Sequence, residues 1–293
     1  MDLAVSVTDD KDNQVDADHD DPDTEIDENV PRFPAHPICV SVCKKTYFSC
    51  IIKGMPPTNK LIFDIETVGE DFETLDKATQ ENLTRWIKRE SADDEEYKLA
   101  LADLKTGLGF SPLTGEIVAI GMLDFYKNEG AVYYQSPGTK QEEIKEEGIA
   151  FKVMDEPEML RKFWDAARHY QVFITFNGRG FDAPFLMVRS AAHDIRPTKD
   201  LMRGRYLYQH NPEALHIDLL DQLTFYGATR RKGSLHLWTR AFGIESPKAG
   251  GVTGDDVGPL FKKKKYLEIA KYNVGDLRAT RALYEKWETY LNF

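Results

Sequence analysis

The chain has 293 residues, 41% hydrophobic and 11% aromatic, enough for one large domain or two ordinary ones with a sizeable core. Its formal charge of -11 is gathered at one end, because residues 1–30 hold twelve acids and one base and the rest is formally neutral. No apolar run reaches membrane-spanning length and the N-terminus lacks a secretory plan, so a membrane-embedded role is excluded and a cytoplasmic protein is expected.

Residues 1–35 are Asp-rich, poor in apolar residues and closed by Pro31 and Pro34, so a disordered acidic tail is expected. Residues 36–59 form an N-terminal extension with Ile38, Val40, Val42, Phe48 and Ile51 hinting at short strands. His36, Cys39, Cys43 and Cys50 lie in this extension, at a spacing that matches no closed zinc pattern, so free thiols are expected. Residues 60–293 read as one α/β domain.

That domain opens with Leu61-Ile62-Phe63-Asp64-Ile65-Glu66-Thr67, a buried-strand pattern ending in two acids. Side chains two apart on a strand share a face, so Asp64 and Glu66 point the same way. Like charges so placed repel unless a cation offsets them. A polar insertion follows over about 68–114, with two helices separated by a charged turn near Asp93–Glu96. Glu116–Asp124 and Ala131–Gln135 read as a hairpin, and Ile149–Met154 as a third antiparallel strand. Residues 139–148 read as charged loop or helix.

Asp155 is a plausible N-cap, with Pro157 in the first turn of a helix running to about Tyr170. Val172–Phe176 is a second continuous apolar strand, which leads through Asn177-Gly178-Arg179-Gly180-Phe181 to Asp182 at a helix start. His216–Leu220 reads as another strand, Ser234 as the cap of a helix over Leu235–Phe242, and 247–258 as a Gly-rich loop. From Leu260 onward the pattern is helical, interrupted at Lys262–Lys265. Tyr272 and Asp276 are four apart there and share a helix face.

Taken singly, each acid could be a cap or a solvated side chain. As an ordered set they suit hard divalent cations such as Mg²⁺ or Mn²⁺. Two such ions are the usual device for in-line attack on a phosphodiester. Arg230-Arg231-Lys232 and Lys262–Lys265 are basic clusters suited to phosphates, and Arg179 sits beside Asp182.

Phe63-Asp64-Ile65-Glu66-Thr67, then Thr175-Phe176-Asn177-Gly178-Arg179-Gly180-Phe181-Asp182, then Tyr272-x3-Asp276 resemble the three exonuclease motifs of the DEDD superfamily, in its tyrosine-bearing branch. The nearest likeness is to the predicted 3′–5′ exonucleases related to the proofreading domain of family B DNA polymerases. His216–Asp221, Ser234-Leu235 and the Lys248–Val257 loop are also similar to that group, and the likeness covers about residues 60–290.

The resemblance implies a ribonuclease-H-like mixed sheet flanked by helices, with a helical insertion after the first motif strand. It implies two Mg²⁺ or Mn²⁺ ions held by Asp64, Glu66, Asp182 and Asp276, with Tyr272 orienting the attacking water. Thr67, Asn177 and Phe181 match positions that grip the terminal nucleotides of a single strand, and an aromatic face such as that of Phe181 stacks on any base. The expected activity is stand-alone 3′–5′ trimming of single-stranded ends, of DNA before RNA. A catalytically silent nucleic-acid-binding module of the same fold is the alternative from another class. Asn273-Val274-Gly275 departs from the triplet usual in the last motif, which bears on packing more than on chemistry.

Overall fold

The computed structural model describes residues 59–138, 143–245 and 253–293. The acidic tail, the segment with Cys39, Cys43 and Cys50, and residues 248–252 of the Lys248–Val257 loop lie outside the described residues. Among the described residues, no helix is long and apolar enough to cross a membrane.

One seven-stranded mixed sheet organises the domain. Its strands are β1 (Lys60–Gly69), β2 (Gly115–Asp124), β3 (Gly130–Tyr134), β4 (Ile144–Glu146), β5 (Ile149–Val153), β6 (Val172–Thr175) and β7 (Leu215–Asp218). They lie in the order β4-β5-β3-β2-β1-β6-β7. β2 runs antiparallel to both β1 and β3, while β6 and β7 run parallel to β1. This is a ribonuclease-H-like arrangement, with β1 in the interior of the sheet between the reversed strand β2 and the parallel strand β6.

The alternation of β1 divides the core in two. Leu61, Phe63 and Ile65 face one layer, which is filled by Met159, Phe163, Trp164, Phe185 and Leu186. Those residues come from α3 (Glu156–Ala167) and α4 (Asp182–Ala192). Trp164 is 1% exposed and donates from Nε1 to Ser190 Oγ at 2.7 Å, which ties the two helices together. Burying such a ring stabilises the fold by about 3 kcal/mol. Ile62 and Val68 face the other layer, against Ile269, Ala270, Val274 and Leu277 of the long C-terminal helix α8 (Tyr266–Tyr290). α8 lies across β1, β2 and β3.

The insertion carries the two expected helices, α1 (Lys77–Glu90) and α2 (Asp94–Gly107). Asp76 and Asp93 cap them by accepting amide hydrogen bonds, the local reason each helix starts there. Asp155 caps α3 in the same way, as expected.

Other elements differ from expectation. β5 runs parallel to β3, not antiparallel. The preceding chain supplies β4, which pairs antiparallel with β5 through Glu147 and Gly148, both at positive φ. A tight hairpin there reverses the chain a second time. The strand expected over His216–Leu220 ends at Asp218, because the Asp218 carboxylate accepts the Leu220 amide and starts α5 (Leu219–Leu223). Ser234 precedes α6 (Leu235–Ala241) but makes no side-chain capping bond. Within the 247–258 loop, Val257 already begins α7 (Val257–Lys262). Lys264, at positive φ, separates α7 from α8.

His216 is fully buried in β7, with Nε2 2.9 Å from Thr175 Oγ1 and Nδ1 2.9 Å from the Leu201 carbonyl. The carbonyl can only accept, so Nδ1 carries the proton and Nε2 accepts from the Thr175 hydroxyl. Burial lowers its pKa from 6.5 to about 4. The folded state therefore binds fewer protons than the unfolded state between those values. The neutral ring's contribution is full above pH 6.5 and is lost as pH falls towards 4, about 3 kcal/mol in all. Urea midpoints at pH 7.5 and 5 should show this slope in the wild type and a smaller one in His216→Gln, where the similarly lowered His210 still titrates. Equal slopes would mean that His216 does not titrate as described.

Candidate active site

The site lies along the middle of β1, past the carboxyl end of its shorter parallel neighbour β6. Asp64 and Glu66 project from β1 towards α8. Their partners across the sheet are Gly121 and Ala119 of β2. Those two small residues leave room beside the acids, and α8 fills it with Asn273. A Cβ on Gly121 would lie 1.8 Å from Asn273 Oδ1. Asn273 is fully buried, and its Nδ2 donates to Asp64 Oδ2 at 2.7 Å and to Glu66 Oε1 at 3.3 Å. Immediately after Glu66 the β1–β2 register shifts by one residue. Such a bulge re-aims side chains next to a site.

Asp276 enters from the same helix as Asn273. Oxygen atoms of Asp64, Glu66 and Asp276 come within 4.8 Å of one another. Asp182 approaches from the other side of β1 and is 3% exposed. Its Oδ1 accepts the Ile65 amide at 2.9 Å, which fastens the start of α4 to the strand between the other two acids. After burial, Asp182 is the largest influence on Asp64.

Crowding shows in the electrostatics. Burial first, then Asp182, Glu66 and Asp276, push the Asp64 carboxyl well above the usual range. Burial and Asp276 do the same to Glu66, with the Asn273 amide opposing them. Asp182 is pushed up to about 7, mainly by burial, despite the amides of Ile65 and Asp182 that favour its charge. Tyr272 donates its hydroxyl to Asp276, and burial with that acid raises its pKa far above the tyrosine range. Beside these acids it stays protonated, as a hydrogen-bond donor to Asp276.

Thr67 is half-buried, and its hydroxyl donates to the Gly109 carbonyl at 2.7 Å, clasping the insertion against β1. Asn177 is exposed at positive φ, and its amide donates to Asp218 Oδ1. Phe181 is half-buried, packed on Phe185 and edge-on to Phe110 of the insertion with centroids 6.4 Å apart. Asp218 also accepts the Arg179 amide, so it shapes the turn before Asp182. His216 is structural.

Sequence reasoning missed Asn273, Gly121 and Phe110. A glycine inside an apolar strand often marks the close approach of another group, and that was the available sign for Gly121. Phe110 is 60% exposed. It borders a cavity of about 660 Å³ between the insertion and α7, lined by Lys105, Lys262 and Lys263 but also by Glu70, Asp71 and Asp255.

Fold and site together define a ribonuclease-H-like α/β protein with carboxylates converging on an interior strand of its sheet. The chain belongs to the family described as "predicted 3′–5′ exonuclease related to the exonuclease domain of PolB", which matches residues 117–292. That span takes in Asn177, Phe181, Asp182, Tyr272 and Asp276 and begins after β1.

Two curated relatives are DNA polymerases 1, from Sulfurisphaera ohwakuensis (22% identical over 171 residues) and from Sulfolobus acidocaldarius (23% over 172). In each the alignment takes in 53% of this chain and 19% of the polymerase, so the chain spans about a fifth of these relatives' length. A solved family B DNA polymerase from Pyrobaculum calidifontis is similar at 19% identity and a TM-score of 0.49, over 80% of this chain and 25% of the polymerase.

Proposed function

We propose that the protein is a divalent-metal-dependent 3′–5′ exonuclease that hydrolyses the terminal phosphodiester of single-stranded ends, DNA before RNA, and releases nucleoside monophosphates. The observation that carries this reading is the convergence of the Asp64, Glu66 and Asp276 oxygens within 4.8 Å, with Asp182 bonded to the same strand. The family assignment supports the reaction class.

The donor set fits Mg²⁺ or Mn²⁺, because it offers only hard oxygens and its acids repel one another in a buried setting. Asp64 faces all three other acids and would be shared by two ions. Glu66 and Asp276 would complete one ion's site, and Asp182 would hold the other. Bound divalent cations supply water activation and charge stabilisation at the leaving 3′ oxygen.

The protein's own groups supply position. Asn273 fixes the Asp64 and Glu66 carboxylates with one amide group. Tyr272, held protonated against Asp276, orients the attacking water with its hydroxyl. Water adds to phosphorus, the P–O3′ bond breaks, and the shortened strand keeps a 3′ hydroxyl. Phe181, with Phe110 beside it, offers an aromatic face to the terminal base.

The test is a time course on 5′-labelled single strands of DNA and RNA with Mn²⁺ or Mg²⁺. Stepwise shortening of DNA, faster than of RNA and absent in Asp64→Ala, is expected. Inert wild type, equal trimming by the variant, or cleavage within the strand would refute the proposal.

A further inference from the structure

Outside the carboxylate site, two touching loops are rich in aromatic and basic side chains. Positions 203–208 (Arg-Gly-Arg-Tyr-Leu-Tyr) and 224–232 (Thr-Phe-Tyr-Gly-Ala-Thr-Arg-Arg-Lys) contain five bases, four aromatics and no acid. All five bases are exposed. The loops touch, since the rings of Tyr206 and Tyr226 meet edge-on with centroids 4.8 Å apart. The Tyr226 hydroxyl also accepts the Leu207 amide at 3.4 Å.

The aromatics are turned outward. Tyr208 is 75% exposed, Phe225 56% and Tyr206 40%. Tyr206 and Tyr208 stack with ring planes 5° apart. Phe225 and Tyr226 are consecutive and both at positive φ, near 51° and 56°. Bulky residues rarely adopt that region, and such strain gathers at functional positions. A hydrophobic core would gain nothing from holding Phe225 there in solvent.

The loops are also tied to the reaction centre. Arg179, in the turn that leads to Asp182, donates from Nη2 to the Gly204 carbonyl at 2.6 Å. It also lies 3.8 Å from Asp221, and Asp221 holds Arg205 at 3.1 Å. The first loop is therefore fastened to the turn that leads to Asp182. Basic residues interleaved with exposed rings are the make-up of single-strand binding surfaces, where phosphates meet cations and bases stack on rings.

We infer that these loops form a second binding surface for single-stranded nucleic acid, taking the nucleotides upstream of the 3′ end that enters the carboxylate site. The inference rests on the proposed exonuclease reading for its direction along the strand, and its test is independent of catalysis. Tyr208 and Tyr206 stack on bases, while Arg203, Arg230 and Arg231 hold phosphates. The surface would keep a shortened strand attached between cleavage steps.

The test measures binding of the full chain, in EDTA so that no trimming occurs, to fluorescent oligo(dT) and oligo(U) of 3, 8 and 16 nucleotides. Wild-type affinity should rise steeply with length. Tyr208→Ala should weaken binding of the 16-mer about 10-fold and leave the 3-mer unchanged, since a stacked base contributes roughly that much. Arg230→Glu with Arg231→Glu should weaken the 16-mer more and flatten its salt dependence.

Length-independent affinity, or variants that bind the 16-mer as wild type does, would overturn the inference. Polyglutamate that competes as well as oligo(dT) would overturn it too, by marking a general anion face. Loss of binding with trimming of short strands intact separates this surface from the catalytic reading. The converse result, binding without any trimming, would refute the nuclease and leave the surface standing.

Discussion

Asp182→Asn will make the metal-free protein more stable and the enzyme nearly inactive. Burial pushes the Asp182 carboxyl up to about 7 from an ordinary 3.8. A group raised in the folded state contributes stability that is present below pH 3.8 and lost as pH rises through 7. Above pH 7 the ionised carboxylate therefore costs the folded state on the order of 4 kcal/mol. Asparagine keeps an oxygen for the Ile65 amide, which Asp182 Oδ1 now accepts at 2.9 Å, and removes the charge.

The melting temperature in EDTA at pH 8 should rise by roughly 6–12 °C, and the gain should vanish towards pH 4. Mn²⁺ should raise the wild type's melting temperature more than the variant's, because cation binding offsets a repulsion the variant lacks. Trimming should fall about 10²–10³-fold, the scale of lost metal-assisted charge stabilisation. A variant that melts at or below wild type in EDTA would show that the acid is not under strain.

Gly121→Ala will damage stability and activity together. Its Cβ would fall 1.8 Å from Asn273 Oδ1 and 2.8 Å from Leu277 Cδ1. Either α8 moves off the sheet or the Asn273 amide leaves the carboxylates it bridges. Overpacking of this kind costs about 3 kcal/mol. Turnover should drop about 10²-fold, since small misplacements of a reacting group have effects of that size.

The double change Gly121→Ala with Asn273→Ala separates the two effects. It removes the collision with Asn273 and leaves the 2.8 Å approach to Leu277 Cδ1, so part of the stability should return. Activity should stay low, because nothing then bridges Asp64 and Glu66. If Gly121→Ala is neutral in urea denaturation, or if the double variant regains full activity, Asn273 is not the positioning group described.

The site's acids were legible because each sits where a strong local signal ends. β1 is an unbroken apolar run that stops at the Asp64–Glu66 pair, and β6 is another that leads into the turn before Asp182. Tyr272 and Asp276 carry the spacing of a helix face. Asn273 was not legible for a physical reason. Its meaning depends on α8 crossing β2 over Gly121 and Ala119, a contact between segments 150 residues apart, and one residue's neighbours in sequence do not report it.

The same holds for β5. Its apolar alternation is equally that of a parallel or an antiparallel strand, and direction was decided by the short β4 turn at Glu147-Gly148. Phe110 read as part of a polar insertion and gained significance only from its place against Phe181. The basic run at Arg230–Lys232 was visible, but its companions Tyr206 and Tyr208 join it only through the packing of Tyr226.

Buried carboxylates held together against their own repulsion are expected to bind divalent cations. Calorimetric titration of Mn²⁺ into metal-free wild type and Asp64→Ala tests it most directly. Saturable binding by the wild type, lost in the variant while its fold remains intact by circular dichroism, is the predicted result. No binding by the wild type, or equal binding by both, would contradict it.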